Sequence, residues 1–199
     1  MTPLQPVLAA VGQEAASRSA PQVQAQRESA RYALEHCAHR CGAPIDGWEK
    51  TNDGAPRPNG AYHWSVSHKR HWSAAVIADR PVGIDIEAVV PRPRRLHDEL
   101  AAKSEWAVVG DRSWDSFFRL WTAKEATLKA NGLGIGALLR CRLVAIPDDQ
   151  HMTLEFDGQR WRVEHYLHAG HVAAVTCGAA PVEWCVLAEP PAGGSAEAP

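Results

Sequence analysis

Residues 82–90, "VGIDIEAVV", place two carboxylates one residue apart in an otherwise apolar, strand-like run. Side chains two apart in a strand point to the same face, so Asp85 and Glu87 should project together while Ile84 and Ile86 enter the core. Adjacent carboxylates repel each other unless a positive charge lies between them, and their hard oxygen atoms suit Mg²⁺. The alternative is an edge strand with an ordinary polar face, and the alternation by itself favours that alternative because such strands are common.

A second run, "LWTAKEATLKANG" at residues 120–132, shifts the balance toward a functional site. On a helix Glu125 and Lys129 are four residues apart and share a face. As an exposed pair they would contribute only about 0.3–0.5 kcal/mol. However, phenylalanine, leucine and tryptophan surround them, so the helix should be half buried. A carboxylate with Lys124 and Lys129 beside a buried apolar helix face fits a binding site for a polyanion better than an ordinary solvent-exposed surface.

Outward from these runs, the pattern predicts helices and strands in alternating groups. Helices are predicted at 19–42, 96–109 and 114–131, and strands at 61–68, 72–79, 82–89, 141–146, 152–156, 161–167 and 171–177. Gly42 and Gly132 should end the first and last helices, and Ser113 should cap the start of the last. The short turn "DRP" at 79–81 predicts an antiparallel pair between the strands on either side of it.

The order of these elements indicates an α+β fold of two similar α/β lobes related by a pseudo-two-fold axis. Each lobe should be a helix packed on a small, mainly antiparallel sheet, although no sequence repeat is visible. We assign 1–80 to an N-terminal lobe, with partial disorder expected in 1–18, and 81–188 to a C-terminal lobe that carries the metal motifs. The Pro/Gly/Ala-rich tail 189–199 has too little apolar surface to fold and should be flexible.

The composition is that of an ordinary globular protein. Of the 199 residues 45% are hydrophobic and 22% charged, and the net charge of −2 argues against a protein held to nucleic acid by its overall charge. Five cysteines in no regular spacing do not form a disulfide framework. The first residues lack the basic start and long apolar run of a secretion signal, and no segment approaches the roughly 20 apolar residues of a membrane span. We therefore expect a soluble, cytoplasmic protein.

Three motifs in register resemble those of the 4′-phosphopantetheinyl transferase superfamily, in its longer, pseudo-dimeric class. They are "SVSH" (65–68), "GIDIE" (83–87) and "WTAKEATLK" (121–129). The run "AKSEWAVV" (102–109) also looks like the short helix that precedes the third motif in relatives. Each motif alone is weak, but all three in order and at the expected separations are specific. The resemblance covers roughly residues 25–178.

The resemblance implies a Mg²⁺-dependent transferase that moves the phosphopantetheine arm of coenzyme A, its co-substrate, onto a serine of an apo carrier protein or carrier domain. Adenosine 3′,5′-bisphosphate would be released. The carrier would serve fatty-acid, polyketide or nonribosomal-peptide synthesis. Attack on a phosphorus builds negative charge that a metal and lysines neutralise. We expect a monomer without a nucleic-acid or membrane partner.

By the same resemblance, the metal ligands would be Asp85, Glu87 and Glu125, and the residues that bind coenzyme A would be Ser67, His68, Lys124 and Lys129. The serine and histidine would contact the nucleotide's 3′-phosphate, and the lysines would meet the other phosphates. Glu125 and Lys129 would be the catalytic residues, with Glu125 accepting the serine proton directly or through water.

The sequence departs from the family pattern in two places. Lys69 stands where a small hydroxyl residue is usual, and Arg70 and His71 after it add further positive charge. The region before the first helix is short, so Arg27 and Arg31 are only candidates for holding the nucleotide. These departures favour the rival hypothesis, a catalytically weak module that binds coenzyme A or a nucleotide without turnover. Against it, binding alone does not require the full set of carboxylates and Lys129.

Other suggestive groupings have simpler interpretations. Cys37 and Cys41 lie one helical turn apart and continue an apolar face, so core packing is favoured over zinc. Three histidines, at 165, 168 and 171, straddle a predicted hairpin turn that would split them between faces. The run "PRPRR" (91–95) is either a solvated loop or a surface that docks the carrier.

Overall fold

The computed structural model describes residues 2–12, 20–52 and 54–188. Its strands are β1 (Val7–Ala10), β2 (His63–His68), β3 (Trp72–Ala78), β4 (Ile84–Ala88), β5 (Arg142–Ala145), β6 (His151–Phe156), β7 (Gln159–His168), β8 (His171–Thr176) and β9 (Cys185–Leu187). Its helices are α1 (Ala20–Cys41), α2 (Leu96–Leu100), α3 (Lys103–Val109) and α4 (Trp114–Ala130), with a 3₁₀ helix at Ile135–Arg140.

Two units of the same connectivity make up the fold. In the first, β1 leads through α1 to the β2–β3 hairpin, and β3 pairs antiparallel with β1. In the second, β4 leads through α4 to the β7–β8 hairpin, and β8 pairs antiparallel with β4. The full sheet orders are β2-β3-β1-β9 and β4-β8-β7-β6-β5, with α1 packed on the first sheet and α4 on the second. The predicted α+β organisation of two similar lobes is confirmed.

The predicted antiparallel pair across residues 79–81 is wrong. β3 pairs with β1 and β2, whereas β4 pairs with β8 in the other sheet. The reason is that β4 opens the second unit, so the short connection carries the chain from one sheet to the next. The two sheets still touch, because Ser65 Oγ accepts a hydrogen bond of 3.1 Å from the backbone N–H of Ile84.

The first sheet also contains two strands that were not predicted. β1 lies within residues 1–18, where partial disorder was expected, yet its first three residues are fully or almost fully buried. β9, which we had placed in the C-terminal lobe, pairs in parallel with β1 of the first sheet. Both strands are short apolar runs without alternation. Their sequences therefore give no strand signal, and they are strands because of the segments with which they pair. Residues 13–18 and the expected flexible tail 189–199 lie outside the described residues.

The helices follow the prediction with one break. The segment predicted as one helix over 96–109 is divided at Ala101 and Ala102 into α2 and α3. α4 begins as expected, with Ser113 Oγ accepting a 3.2 Å hydrogen bond from the N–H of Ser116. None of the helices in the described ranges is both long and apolar enough to cross a membrane.

Candidate active site

The face of β4 that carries the carboxylates is turned toward α4. Asp85 and Glu87 lie opposite Ala174 and Val172 of β8, which pack in the same apolar cluster as α4. Ile84 and Ile86 enter a second cluster between the two sheets. The alternation predicted from the sequence is therefore confirmed. β4 is the edge strand of its sheet, but its polar face is buried.

Gly83 allows the helix to come this close. A Cβ atom on this residue would lie 1.9 Å from the carbonyl oxygen of Ala126 and 2.7 Å from the backbone nitrogen of Ala130. Backbone atoms of a packed helix cannot yield by that much. A glycine before the carboxylates is thus required by helix–strand packing, and that packing brings the end of α4 beside Asp85.

Asp85 is held by two donors through one of its oxygens. Asp85 Oδ1 accepts hydrogen bonds of 2.7 Å from Ser67 Oγ and 2.8 Å from Lys129 Nζ. Lys129 Nζ also donates to the carbonyl oxygen of Ile84, 3.1 Å away. Asp85 is 5% exposed, and its Oδ2 is buried without a hydrogen-bond partner. One carboxylate oxygen is therefore fixed and the other is left to accept a further ligand.

Ser67 departs from its predicted role. It was expected to contact the nucleotide's 3′-phosphate, but its hydroxyl is buried and donates to Asp85 instead. In this arrangement the residue orients a carboxylate. The strand register explains the contact, since β2 and β4 approach each other where the two sheets meet.

Glu87 has a different partner. Its Oε1 lies 2.6 Å from Lys69 Nζ, which reaches over from the turn between β2 and β3. Burial raises the pKa of Glu87, the hydrogen bond from Lys69 opposes that rise, and the charge of Asp85 adds to it. The two β4 carboxylates are thus each paired with a lysine from a different element.

Glu125 completes the group of carboxylates. It is half-buried on α4, and within the described ranges no hydrogen bond or ion pair engages its side chain. Burial is the main cause that raises the pKa of Glu125. The charge of Asp85 raises it further, Lys129 lowers it, and Glu87 adds a smaller rise. Lys129 bonds to Asp85 rather than to Glu125, which lies four residues away on the same helix.

Lys124 does not take the phosphate-binding position predicted for it. Its side chain is 0% exposed, and its Nζ lies 2.8 Å from Glu105 Oε1 and 3.0 Å from the carbonyl oxygen of Leu100. Glu105 also accepts from the backbone N–H groups of Leu143 and Ala102. Lys124 therefore joins α4 to α3 and β5 inside the core. The helical spacing gave the signal, because positions four residues to either side of Lys124 are fully buried leucines.

His68 lies in the most basic part of the site. The side chain is exposed at the end of β2, and its pKa is lowered by partial desolvation, then by the charges of Lys129, Lys50 and Lys69. A cleft of about 180 Å³ opens between residues 56–58, the start of β2 and the end of α4, with Lys129 in its wall. The positive charge of the three lysines that act on His68 suits an anionic ligand. Lys50 and the cleft had no signal in the sequence, since both depend on contacts between distant segments.

The remaining candidate residues form no hydrogen bond or ion pair with this group in the described part of the chain. Arg27 is exposed on α1, and Arg31 forms an exposed ion pair with Glu35 of the same helix. In the 91–95 run Arg94 donates to the carbonyl oxygen of Arg112. Cys37 is 1% exposed in the core between α1 and the first sheet, which confirms that it packs as a small apolar residue.

The donor set fits a divalent cation, although the present side-chain positions do not yet form one site. Asp85 Oδ2 is buried without a partner, the charges of Asp85 and Glu87 act on Glu125, and hard oxygen donors are those that Mg²⁺ prefers. Over the described ranges, no three side chains of His, Cys, Asp or Glu converge closely enough to hold a metal ion. Lys69 and Lys129 pair with two of the carboxylates instead.

The second structural unit matches a known family. Residues 81–177 match the family model described as the 4′-phosphopantetheinyl transferase superfamily. The chain is 29% identical over 97 residues to a 4′-phosphopantetheinyl transferase of Bacillus subtilis, which is 47% of this chain and 43% of that protein. It is 30% identical over 113 residues to one of Bacillus pumilus, covering 54% of this chain and 48% of the relative.

A putative 4′-phosphopantetheinyl transferase of Haemophilus influenzae is 33% identical over 110 residues, or 49% of this chain and 45% of that protein. The chain thus spans a little under half the length of the curated relatives it matches. The family match runs from just before β4 to just after β8 and contains Asp85, Glu87, Glu125 and Lys129. Residues 81–177, a little under half of this chain, are therefore similar to the 4′-phosphopantetheinyl transferase superfamily.

Proposed function

We propose that this chain transfers the 4′-phosphopantetheine arm of coenzyme A to a serine of an apo carrier protein and releases adenosine 3′,5′-bisphosphate. The observation that carries the proposal is the contact between α4 and β4, where Lys129 Nζ lies 2.8 Å from Asp85 Oδ1 inside the segment that matches the family. A diphosphate needs positive charge for its oxygens, and any metal on it needs carboxylates. The α4–β4 contact supplies both.

The transfer requires groups that neutralise negative charge on the phosphate oxygens and a group that accepts the serine proton. The serine oxygen attacks the phosphorus that bears the pantetheine arm, and the bond from that phosphorus to the bridging oxygen of the diphosphate breaks. Negative charge grows on the equatorial and leaving oxygens, where Lys129 is placed to neutralise it. Ser67 keeps Asp85 in one orientation, and Lys124 fixes the helix that carries Glu125 and Lys129.

Glu125 is the proposed acceptor of the serine proton. Its side chain is half-buried, and burial with the neighbouring carboxylates raises its pKa. A carboxylate is a better general base when its pKa lies closer to the pH of the reaction. The raised pKa of Glu125 therefore supports this role.

The proposed cofactor is Mg²⁺. Asp85, Glu87 and Glu125 would hold it, and when bound it would neutralise the diphosphate oxygens. The buried, unpartnered Oδ2 of Asp85 and the mutual repulsion of the three carboxylates support this assignment. The proposed protein partners are the carriers of fatty-acid, polyketide or nonribosomal-peptide synthesis.

A second candidate, binding of coenzyme A or a nucleotide without turnover, is favoured by one contact. Lys69 Nζ lies 2.6 Å from Oε1 of Glu87, which is one of the three proposed metal ligands. If that ion pair persisted in the loaded protein, the metal would lose a ligand and turnover would be weak. The two functions differ in whether adenosine 3′,5′-bisphosphate is formed.

The test is to incubate the protein with coenzyme A, Mg²⁺ and a panel of apo carriers, and to measure intact masses together with the released nucleotide. We expect at least one carrier to gain a single phosphopantetheine arm in equal amount to the adenosine 3′,5′-bisphosphate. Binding of coenzyme A with no mass gain on any carrier would favour the second function.

A further inference from the structure

The Lys69–Glu87 ion pair is held more loosely than the Lys129–Asp85 pair. Lys69 Nζ has Glu87 as its one side-chain partner in the described chain, and the lysine side chain is 39% exposed. Lys129 is 27% exposed and is held twice, by Asp85 and by the carbonyl oxygen of Ile84. Of the two lysines, Lys69 is therefore the one that leaves its carboxylate at the lower cost.

Glu87 cannot serve a metal and Lys69 equally well at the same time. Its side chain is only 11% exposed, and its Oε1 already lies 2.6 Å from the Lys69 ammonium group. A divalent ion that takes Glu87 as a ligand must displace this group. The displaced ammonium then needs a new anionic partner, since an isolated charge beside other cations is unfavourable.

Such a partner would be found close by. Lys69 follows His68 in the chain, and the charges of Lys129 and Lys50 also act on that histidine, so three cationic groups influence this one side chain. A phosphate bound there would draw Lys69 away from Glu87. The release of Glu87 would in turn uncover the ligand that a metal requires.

We propose that Lys69 is a tethered cation that occupies Glu87 in the free protein and moves onto a phosphate group of the nucleotide when a divalent metal takes Glu87. This inference rests on the proposed function and makes Lys69 a positioning residue for it. By linkage, metal and nucleotide then strengthen each other's binding by the same factor, and couplings of this kind are typically about 5–150-fold. The metal alone binds weakly because it must first displace Lys69.

The test is calorimetric titration of Mg²⁺ into the purified protein at pH 8, with and without saturating adenosine 3′,5′-bisphosphate. The variants are Lys69→Met, which keeps the length of the side chain without the charge, and Lys69→Arg, which keeps the charge. Lys50→Met is the matched control, because it removes a charge from the same basic region but contacts no carboxylate in the described structure. Circular dichroism checks the fold, and Lys69→Ser serves if the methionine variant does not fold.

Without the nucleotide, Lys69→Met should bind Mg²⁺ about fivefold tighter than the wild type or more, at the lower end of typical couplings. Its gain in affinity on adding the bisphosphate should also be smaller than that of the wild type. Lys69→Arg should behave like the wild type, and Lys50→Met should change the affinity for Mg²⁺ alone by less than about twofold, well below such a coupling.

Measurable Mg²⁺ binding that is no tighter in Lys69→Met overturns the inference while leaving the proposed metal site in place. An equal increase in Lys50→Met also overturns it, because general charge would then explain the effect. If no variant binds Mg²⁺ with or without the bisphosphate, the metal assignment itself fails and the inference falls with it.

Discussion

Lys124 and Glu125 are neighbours in the sequence, but their side chains point to different sides of α4. Lys124 is fully buried with its Nζ 2.8 Å from Glu105 Oε1, whereas Glu125 is half-buried and lies in the electrostatic field of Asp85 and Glu87. A rotation of about 100° between consecutive helical residues produces this division. One residue therefore anchors the helix in the core, and the next one lies near the carboxylates of β4.

Replacement of Lys124 by Met should destabilise the protein by about 3–5 kcal/mol, because it leaves Glu105 as a buried charge without its partner. Thermal or urea unfolding measures the loss. Lys124→Met combined with Glu105→Gln should recover part of the stability. If Lys124→Met is as stable as the wild type but binds coenzyme A much more weakly, Lys124 reaches the phosphates after all.

Replacement of Gly83 by Ala should cost about 1–3 kcal/mol or more, since the added methyl group overlaps backbone atoms of α4. Turnover should fall as well, because the shift of α4 moves Lys129 away from Asp85. Gly136→Ala is the matched control, since a Cβ there meets nothing within 4 Å. Equal stability of the two variants would show that β4 and α4 are not packed as closely as described.

The sequence predicts the local features of this site well and the pairing of distant segments poorly. Alternation in 82–90 placed Asp85 and Glu87 on one face, and the Ser113 cap located the start of α4. Those signals lie within one segment. The β3–β4 pair was mispredicted because the length of a turn says nothing about which sheet the next strand joins.

Contacts between segments account for the other misses. β1 is four residues long and is defined by its pairing with β3 and β9. The Ser67–Asp85 and Lys69–Glu87 contacts form only where the two sheets meet. Lys124 is different, since the leucines four residues to either side of it were a local signal of burial that the family-based phosphate role did not use.

Titration of His68 should respond to an anion bound in the basic region. Partial desolvation and three lysines lower its pKa, so His68 is neutral at pH 7 in the free protein. A bound phosphate favours the protonated imidazole and should raise that pKa. Proton NMR of the ring measures it with and without adenosine 3′,5′-bisphosphate.

His165 is the control for this titration. It is buried in β7, two strands away from β4 in the second sheet, and burial lowers its pKa to about 4. Its titration should not change when the bisphosphate is added. An unchanged pKa of His68 at saturating bisphosphate would place the anion elsewhere.

Replacement of Glu125 by Gln should separate stability from turnover. The pKa of Glu125 is raised in the folded protein, so the folded state binds more protons than the unfolded state and loses stability as pH rises. Removing the charge should therefore raise the Tm of the metal-free protein at pH 7.5. This gain should vanish below about pH 4.3, where the unfolded glutamate is also protonated.

The same variant should lose turnover by about 10²–10⁴-fold, as expected for the loss of a general base. Coenzyme A should still bind within about tenfold, or ~1.4 kcal/mol, because lysines and nucleotide contacts hold it. Normal turnover with a collapse of coenzyme A binding would mean that Glu125 organises the pocket and takes no part in the transfer.

The most direct test of the proposed transfer is a single-turnover experiment with excess enzyme, one apo carrier that is modified in the panel, coenzyme A and Mg²⁺, followed by intact mass. The wild type should convert the carrier serine to the phosphopantetheinylated form, and a serine-to-alanine carrier should gain nothing. Asp85→Ala should be slowed strongly and partly rescued by high Mg²⁺, because the buried Oδ2 of Asp85 is a proposed metal ligand. A wild-type protein that binds coenzyme A and Mg²⁺ yet leaves every apo carrier at its original mass would contradict the transferase assignment.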